Sequence, residues 1–326
     1  MSELRTGDFD YHLPRELIAA RPAPERGEAR MLVLDRVTGS IRHDRFQALP
    51  DYLQPGDLAV LNDTKVLPAR FFSNDRRIEV LRLDFGNPLR WRCLVRPGKR
   101  MRLGCRIAIG NTTGTVRDIL PDGERILVFD RSPDPNRDGS LALPHYLGRE
   151  SDVSDSERYQ TVFAREEGAI AAPTAGLHFP VQVLAALPHT FLTLHVGIGT
   201  FQPVRAERPS QHRMHTEWFR LPEAAAQNIR EASRVLAVGT TVARVLEHTA
   251  ATGGIRSIEG ETNIFIYPPY TFRAVDLLFT NFHLPKSTLL MLVSAFAGRE
   301  SILEAYREAV RQRYRFYSYG DCMLIL

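Results

Sequence analysis

The strongest constraint on the fold is a run of short β-type segments between residues 63 and 145. Alternating or β-branched stretches such as RIEVLRLDF, RIAIG and RILVFD are separated by the turn sequences Pro97-Gly98 and Pro121-Asp122-Gly123. No helix-length pattern interrupts them, and regularly spaced short strands are typical of a small antiparallel barrel or sandwich. We therefore predict an inserted, small antiparallel β-barrel domain over residues 63–145.

Residues 1–62 and 146–326 show a different pattern, in which strands alternate with helices. Buried strands are predicted at residues 190–196, 263–267 and 274–279 and at the sequence VLAVG, and a short helix is predicted after Pro14. Longer helices are predicted at PEAAAQNIREASR, VARVLEHTA and ESILEAYREAVRQRY. This alternation predicts an α/β fold with an at least partly parallel sheet. The expected fold class is a mixed-sheet α/β main domain, discontinuous in sequence, that carries the barrel.

The composition indicates the cellular compartment of the protein. The 326 residues contain three cysteines without a CxxC spacing, which favours a reducing, cytoplasmic compartment over a disulfide framework. The first residues have no apolar leader, and the longest apolar run, LLMLVSAFA, is far shorter than the roughly 18 residues of a membrane span. We expect a cytoplasmic protein that is not embedded in a membrane.

The predicted barrel carries a concentrated positive charge. Between Lys65 and Arg106 there are twelve Lys or Arg residues and three acidic residues, whereas the whole chain has a net charge of only +4. A charged solvent face is the ordinary reason for such a run. Because strand alternation places many of these side chains on one face, the pattern also fits a surface that binds a nucleic-acid backbone.

Three strands of the α/β part end in polar turns, at His195, Thr240 and Thr280. Ligands of open α/β sheets bind beyond the carboxyl ends of the strands, so these turns are expected to form one cleft. The alternative is that Gly, Thr and Asn simply make tight turns. After Thr280, Pro285 interrupts the chain and Ser287 precedes an apolar helix, an arrangement that presents backbone N–H groups to a ligand. Thr174 is expected to cap a helix that begins near His178.

Histidines are the main candidates for acid–base chemistry. His178, His195, His215 and His283 each lie in a segment flanked by Gly, Pro or Thr rather than on an apolar helix face. His212 and His215, with Glu217, have a spacing that can ligate a metal, but no HExxH motif or cysteine supports a metal site. Dinucleotide, phosphate-loop, GxSxG and deaminase motifs are all missing from the sequence.

Long segments of the sequence resemble the S-adenosylmethionine:tRNA ribosyltransferase-isomerase family of queuosine biosynthesis. They occur in the order found in that family and span nearly the whole chain: FDYHLP, NDTKVLPAR, ERYQTVFA, GAIAAPTAGLHF, TLHVGIGTFQPV, HRMHTEWF, AVGTT, TNIFIYPPY, VDLLFTNFHLPKSTLLMLVSAFAG and YRFYSYGDCML. The resemblance implies an α/β domain with an inserted β-barrel and no Rossmann methyltransferase core. It also implies a monomer without an obligate protein partner.

The resemblance further implies the reaction. The ribosyl part of the co-substrate S-adenosylmethionine goes to 7-aminomethyl-7-deazaguanine at the tRNA wobble position and rearranges to epoxyqueuosine, with release of adenine and methionine. No prosthetic group and no metal are expected. Several proton transfers require several groups that can titrate or relay protons.

The residues that match the family's segments are candidates for these roles. The catalytic candidates are His178, His195, His215, His283, Asp276 and Asp321. The acids, or Glu217, would hold ribose hydroxyls or the methionine ammonium, and the turns at Thr240 and Ser287 would receive the carboxylate. Tyr267, Phe272 or Phe282 would stack on adenine. The substrate-binding candidates are Thr174, Gly199, Thr200, Glu217, Thr240, Thr241, Tyr267, Thr280, Asn281, Phe282, Ser287 and Thr288. The tRNA-binding candidates are Lys65, Arg70, Arg96, Lys99 and Arg100.

Two other classes of function remain open at this point. One is a metal-dependent hydrolase built on the histidines, which would contain stoichiometric metal and lose activity with it. The other is a tRNA-binding protein without catalytic activity, which the basic insertion alone would favour. Release of adenine from S-adenosylmethionine separates both from the transferase.

Overall fold

Residues 4–201, 204 and 206–326 are described by a computed structural model of the chain. This part contains eighteen strands, numbered in chain order. The strands are β1 (Arg30–Leu34), β2 (Ile41–Arg45), β3 (Asp57–Asn62), β4 (Thr64–Val66), β5 (Arg70–Phe72), β6 (Glu79–Arg82), β7 (Arg90–Arg96), β8 (Arg106–Ile109), β9 (Thr112–Ile119), β10 (Arg125–Phe129), β11 (Gly139–Ser140), β12 (Glu166–Ala169), β13 (His189–Leu194), β14 (Glu217–Leu221), β15 (Arg234–Val238), β16 (Ile258–Thr262), β17 (Leu277–Asn281) and β18 (Cys322–Ile325).

Helices of two kinds connect these strands within the described ranges. The α-helices are α1 (Pro135–Asp138), α2 (Val153–Arg158), α3 (Val181–Ala185), α4 (Glu223–Glu231), α5 (Thr240–Ala251), α6 (Thr288–Ala297) and α7 (Arg299–Arg311). The 3₁₀ helices are Thr6–Phe9, Arg15–Leu17, Phe46–Tyr52, Gly98–Arg100, His145–Leu147, Thr174–His178, Ile198–Phe201 and Pro209–Gln211.

Nine strands form the main sheet, in the order β16-β14-β13-β3-β15-β17-β18-β1-β2. Its four central strands, β13, β3, β15 and β17, run parallel to one another. Antiparallel pairs lie towards both edges, namely β14 with β13 and β16, β18 with β17, and β2 with β1. The predicted α/β fold class with a mixed sheet is therefore confirmed.

Both faces of the central strands are covered, which explains their nearly continuous apolar sequences. Along the fully buried β3, Leu58 and Val60 face a core shared with helices α5, α6 and α7. The alternate residues Ala59 and Leu61 pack with the opposite core, which contains Phe46 and other residues of the short 3₁₀ helices. Because side chains alternate along a strand, β3 contributes to both hydrophobic cores, one on each face of the sheet.

A separate antiparallel sheet of seven strands has the order β11-β5-β6-β7-β10-β9-β8. Trp91 and Cys93 of β7 point into its core, whereas Arg90 and Arg92 are exposed. The two edges approach each other, because the N–H of Asn74, just after β5, donates to the carbonyl of Ala108 in β8 at 3.0 Å. The predicted small antiparallel β-unit is therefore present and nearly closed.

The chain enters and leaves this unit through neighbouring strands. β4, at the start of the predicted insertion, does not join the seven-stranded sheet but pairs in parallel with β12. The seven strands themselves run from residue 70 to residue 140. This pairing fixes the β-unit against the main sheet next to the ends of β3 and β13.

Three predicted elements differ from the structure. Residues 263–267 are not a strand: β16 ends just before them, at Thr262, and Pro268 and Pro269 follow without N–H groups for a sheet. The last parallel strand lies about two residues later than predicted, at Leu277–Asn281. After Pro14 the chain makes only the three-residue 3₁₀ helix Arg15–Leu17 instead of an α-helix.

The most apolar helix, α6, is almost wholly buried inside the protein. In the ranges that the structure covers, none of the helices combines the length and apolar character required to cross a membrane.

Candidate functional site

A small polar cavity of about 60 Å³ lies beyond the carboxyl ends of β15 and β17. Gly239 links β15 to α5 with a φ of +94°, a conformation that favours glycine. Many of the polar residues that line the cavity come from the two strand ends, from the 3₁₀ helix after Pro173 and from the turn before α6: Thr174, Thr240, Thr241, Thr280, Asn281, His283 and Ser287. Tyr146, Tyr317 and Ser318 complete the polar lining among the described residues. The structure thus brings together most of the predicted substrate-binding residues.

The amino end of α5 faces this cavity. Its N-cap residue is Gly239, which has no side chain to satisfy the N–H groups of the first turn. Thr241 is 7% exposed, and its hydroxyl has no hydrogen-bond partner among the described residues. Ser287 differs, because its hydroxyl accepts from the N–H of Leu290 at 3.1 Å and donates to the carbonyl of Leu284 at 2.7 Å. Ser287 therefore caps α6, and Thr288 lies behind it within the buried first turn.

Asn281 connects the cavity to His178. Its side-chain amide donates to the carbonyl of Tyr317 at 3.1 Å and to Nε2 of His178 at 3.0 Å. These bonds fix the orientation of the amide, and its oxygen Oδ1 is buried without a partner. The His178 ring stacks on Phe46, and burial lowers the pKa of His178 from 6.5 to about 3. His178 therefore supports Asn281 as a neutral acceptor from behind the cavity.

His283 lies in the wall of the same cavity. Its Nε2 is 2.9 Å from the hydroxyl of Thr280, and its N–H donates to the hydroxyl of Tyr306 at 3.1 Å. The hydroxyl of Tyr11 donates to its carbonyl at 2.5 Å. Burial lowers the pKa of His283 to about 3, so the ring is a neutral imidazole at physiological pH.

A second cavity, of about 450 Å³, contains His195 and His215 instead. Nδ1 of His195 lies 2.8 Å from the hydroxyl of Thr64, and the ring stacks on Trp218 with centroids 4.8 Å apart. Burial lowers the pKa of His195, while Asp63 and Glu166 oppose that shift. The polar turn at His195 was predicted to share one cleft with the turns at Thr240 and Thr280, but His195 does not line the first cavity.

The lining of this second cavity is acidic. It contains Asp84, Glu124, Glu167, Glu217 and Glu261, against the single cation Arg92. Glu124, Glu167 and Glu217 are paired with Arg92, Lys65 and Arg244, so the preference for cationic ligand groups rests on Asp84 and Glu261. We refer to this cavity as the acidic cavity and to the smaller one as the polar cavity.

Both carboxylate oxygens of Glu217 are engaged by other residues of the protein. One oxygen accepts from the N–H of Gly197 at 2.9 Å, and the other forms a buried ion pair with Arg244 of α5. His215 is exposed and packs over Gly199, where a Cβ would lie only 2.4 Å from the histidine ring. The side chain of Thr200, another candidate, lies outside the described residues.

A third cavity, of about 530 Å³, lies between the seven-stranded sheet and the main sheet. It shares Tyr146 and Leu284 with the polar cavity, and Ile170 and Ile198 with the acidic one. Val196 lines both the polar and the acidic cavity. The three cavities therefore meet around a few side chains between the two sheets.

Two predicted acidic site residues lie elsewhere. Asp276 precedes β17 at the opposite end of the strand, where it accepts from the N–H of Val235. The Asp321 carboxylate is buried and occupied by Arg30 and by the N–H of Arg315 at 2.7 Å. Both acids are therefore structural.

Of the three aromatic candidates, Phe282 contributes to the lining of the polar cavity, whereas Tyr267 and Phe272 lie outside the lining of the three cavities. The Phe282 ring is fully buried in the main core against Tyr306, Tyr314 and Phe316 and cannot stack on a ligand. Tyr267 packs on Phe265 outside the lining of the three cavities. Thr174 lines the polar cavity but starts a 3₁₀ helix without capping it.

Other residues at the site were missed by sequence reasoning. Tyr146 and Tyr317 stack with centroids 4.4 Å apart beside the polar cavity, and Thr64 and Trp218 hold His195. Three of them lie in segments already noted as motifs: NDTKVLPAR, HRMHTEWF and YRFYSYGDCML. Tyr146 lies in no such segment, and its role follows only from the tertiary contact.

The tRNA-binding candidates separate into two groups. Lys65 pairs with Glu167 at 3.0 Å, and the largely buried Arg70 pairs with Glu79 at 3.0 Å. Arg96, Lys99 and Arg100 are exposed and form no ion pair within the described residues. Among those residues, no three His, Cys, Asp or Glu side chains are grouped so that they could hold a metal ion.

Known proteins resemble the chain over nearly its whole length. A family described as "Queuosine biosynthesis protein" matches residues 6–325. A relative from Halothermothrix orenii named S-adenosylmethionine:tRNA ribosyltransferase-isomerase is 47% identical over 99% of this chain and 100% of the relative. One of the same name from Symbiobacterium thermophilum is 49% identical over 99% of this chain and 100% of the relative. The crystal structure of S-adenosylmethionine tRNA ribosyltransferase from Thermotoga maritima is 36% identical, covers 98% of this chain and 100% of that chain, and superimposes with a TM-score of 0.57.

Proposed function

Because the chain belongs to the S-adenosylmethionine:tRNA ribosyltransferase-isomerase family of queuosine biosynthesis, we propose that it acts on S-adenosylmethionine and tRNA as that name states. It transfers the ribosyl part of S-adenosylmethionine to 7-aminomethyl-7-deazaguanine at the wobble position and isomerises it to epoxyqueuosine. The observation that carries this proposal is the similarity to relatives of that name over 99% of the chain.

The bonds of S-adenosylmethionine that break in this reaction include a carbon–hydrogen bond at the 5′ carbon, the glycosidic bond to adenine and the carbon–sulfur bond to methionine. The sulfonium acidifies the 5′ carbon of the ribose, so removal of a proton there initiates loss of adenine. The neutral amine of the tRNA base forms the new carbon–nitrogen bond and loses a proton. Closure of the epoxide expels methionine, whose sulfur leaves as a neutral thioether. The site must therefore accept and return protons and hold cationic groups.

His195 takes the proton from the 5′ carbon in this proposal. His178 and His283, each with a pKa of about 3, are weak bases at neutral pH. Burial lowers the pKa of His195 as well, but Asp63 and Glu166 oppose this shift, and Thr64 fixes the orientation of the ring. The surrounding acidic cavity is suited to the sulfonium and to the aminomethyl group of tRNA.

Residues 63–145 contact tRNA, and residues 1–62 together with 146–326 form the catalytic unit. The exposed, unpaired cations of Arg96, Lys99 and Arg100 support this division. The third cavity, between the two sheets, supports it as well, since a base from tRNA can reach the other two cavities from there.

Release of adenine tests the function. The protein is incubated with S-adenosylmethionine and tRNA that carries 7-aminomethyl-7-deazaguanine at the wobble position, and adenine, methionine and modified tRNA are quantified. We expect equal amounts of all three, and none with tRNA that carries guanine at that position. His195→Gln, which keeps a polar side chain but has no basic nitrogen, is expected to lose adenine release.

Other products would contradict the proposal. S-adenosylhomocysteine in place of adenine would identify a methyltransferase, and binding of tRNA without release of adenine would identify a binding protein. Loss of activity on removal of a stoichiometric metal would require a different mechanism.

A further inference from the structure

Three buried polar atoms of residues that line the polar cavity have no hydrogen-bond partner within the described part of the chain. They are the hydroxyl of Thr241, the amide oxygen Oδ1 of Asn281 and the hydroxyl of Tyr317. The three residues are only 7%, 2% and 5% exposed. Leaving such groups unpaired costs about 1–3 kcal/mol each, so native proteins rarely keep them without a ligand or water.

The surroundings of Thr241 favour an anion. The residue lies in the first turn of α5, which has twelve residues and no side-chain cap. The first N–H groups of an α-helix have no acceptor within the helix, so they can donate to a ligand. The helix dipole adds a partial positive charge at the same end. No lysine or arginine among the described residues lines the cavity, so these residues would hold an anion there through neutral donors.

The surroundings of Asn281 favour a hydrogen-bond donor. Its amide nitrogen is engaged by Tyr317 and His178, and Oδ1 accepts no hydrogen bond from the residues that the structure describes. The neighbouring Ser287 cannot serve as the partner, since it already caps α6 and bonds the carbonyl of Leu284. A ligand that carries an anion and a donor close together would satisfy both Thr241 and Asn281.

We propose that the polar cavity is the subsite for the α-amino-acid end of S-adenosylmethionine. The carboxylate binds the first turn of α5 and the hydroxyl of Thr241, and the ammonium donates to Oδ1 of Asn281. This assignment rests on the proposed function. In this assignment Asn281 holds the ammonium in place of the predicted Asp276 and Asp321, because both acids lie outside the cavity.

The dimensions agree with this subsite. A volume of about 60 Å³, compared with about 450 and 530 Å³ for the two larger cavities, suits a carboxylate and an ammonium better than a nucleoside. The sulfonium and adenosine therefore extend past Val196 and Leu284 into the two larger cavities. That path leads the ribose towards the acidic cavity and His195.

Decarboxylated S-adenosylmethionine tests the assignment, because it retains the sulfonium and adenosine and lacks only the carboxylate. Both compounds are titrated calorimetrically into the protein in the presence of tRNA with guanine at the wobble position, so that no turnover occurs. We expect wild type to bind S-adenosylmethionine about 10-fold or more tightly than the decarboxylated compound. Thr241→Val should weaken S-adenosylmethionine by about 10-fold and leave the decarboxylated compound unchanged.

Thr249→Val is the matched control. Thr249 is a second buried threonine of α5, whose hydroxyl bonds the carbonyl of Val245 at 2.8 Å on the helix itself. This variant should bind both compounds as wild type does. If Thr241→Val fails to fold, the comparison of the two compounds on wild type still decides the question.

Two results would overturn the subsite. One is equal affinity of wild type for the two compounds, and the other is an equal loss of both compounds in Thr241→Val. Either would place the carboxylate elsewhere, while release of adenine from S-adenosylmethionine by wild type would still support the proposed function. Absence of adenine release would instead refute the function itself.

Discussion

Burial determines the protonation of two histidines at the site. His178 and His283 are both buried, and desolvation lowers the pKa of each from 6.5 to about 3. Each ring is therefore neutral in the folded protein and accepts or relays hydrogen bonds without charge. The sequence identified these histidines as acid–base candidates, but burial is a tertiary property that flanking Thr and Gly residues do not reveal.

Acidification should destabilise the protein through these two residues. In the window from pH 6.5 down to about 3, the unfolded chain binds their protons and the folded chain does not. The stability they contribute is thus complete above pH 6.5 and is lost as the pH falls through this window. Each histidine should lower the free energy of unfolding by about 1.4 kcal/mol per pH unit. Urea unfolding followed by circular dichroism between pH 7 and pH 5 measures this slope.

The variant His178→Gln isolates one of the two contributions. Glutamine can still accept from Asn281 but does not titrate, so the slope should fall by up to about 1.4 kcal/mol per pH unit. His145→Gln, at an exposed position, serves as the control and should leave the slope unchanged. A full wild-type slope in His178→Gln would mean that this imidazole takes up its proton inside the folded protein.

At the level of single elements, the sequence predicted which strands carry functional turns but not how the turns are grouped. β15 and β17 are neighbours in the sheet, so Thr240 and Thr280 share the polar cavity. β3 lies between β13 and β15, and β14 extends the sheet beyond β13, which places His195 in the acidic cavity. Strand order depends on pairing between distant segments, and the hydrophobic period of a single segment gives no information about that pairing. Asp276 was a candidate only because it matches a segment of the family, and the structure places it at the opposite end of β17 from the cavity.

The ion pair between Glu217 and Arg244 joins β14 to α5 inside the core. Both side chains are buried, at 6% and 3% exposure. Glu217→Gln keeps an oxygen for the N–H of Gly197 but leaves the guanidinium without its counter-charge, which should cost about 3–5 kcal/mol. Thermal and urea unfolding measure this loss. Glu217→Gln combined with Arg244→Met should recover part of it, because no buried charge then remains.

The same substitution at an exposed pair provides the comparison. Glu223 pairs with Arg230 at 2.9 Å on the surface of α4, where both side chains are about half exposed. Glu223→Gln should therefore change the free energy of unfolding by less than about 1 kcal/mol. Equal effects of the two substitutions would show that the Glu217 pair contributes no more than a surface pair.

At the scale of the whole molecule, the sequence predicted both sheets and the basic character of the β-unit. It did not predict the cavity between the sheets, because the pairing of β4 with β12 that sets their separation joins residues about a hundred positions apart. The sequence also suggested more exposed, unpaired cations on the β-unit than the structure has among the described residues. Arg82 is buried over Trp91, and Arg76 and Arg92 pair with Glu150 and Glu124.

Arg96, Lys99 and Arg100 remain as an exposed group without ion pairs among the described residues, next to the cavity between the sheets. Reversal of all three to Glu should weaken tRNA binding and reduce the slope of log affinity against log salt by up to about 3, since each phosphate contact releases counterions. The control reverses Arg307, Arg311 and Arg313, which are exposed on and just after α7, and makes the same change in net charge. Filter binding of tRNA over a salt series should show a reduced slope only in the first variant. Equal slopes in both variants would place the tRNA on another face of the protein.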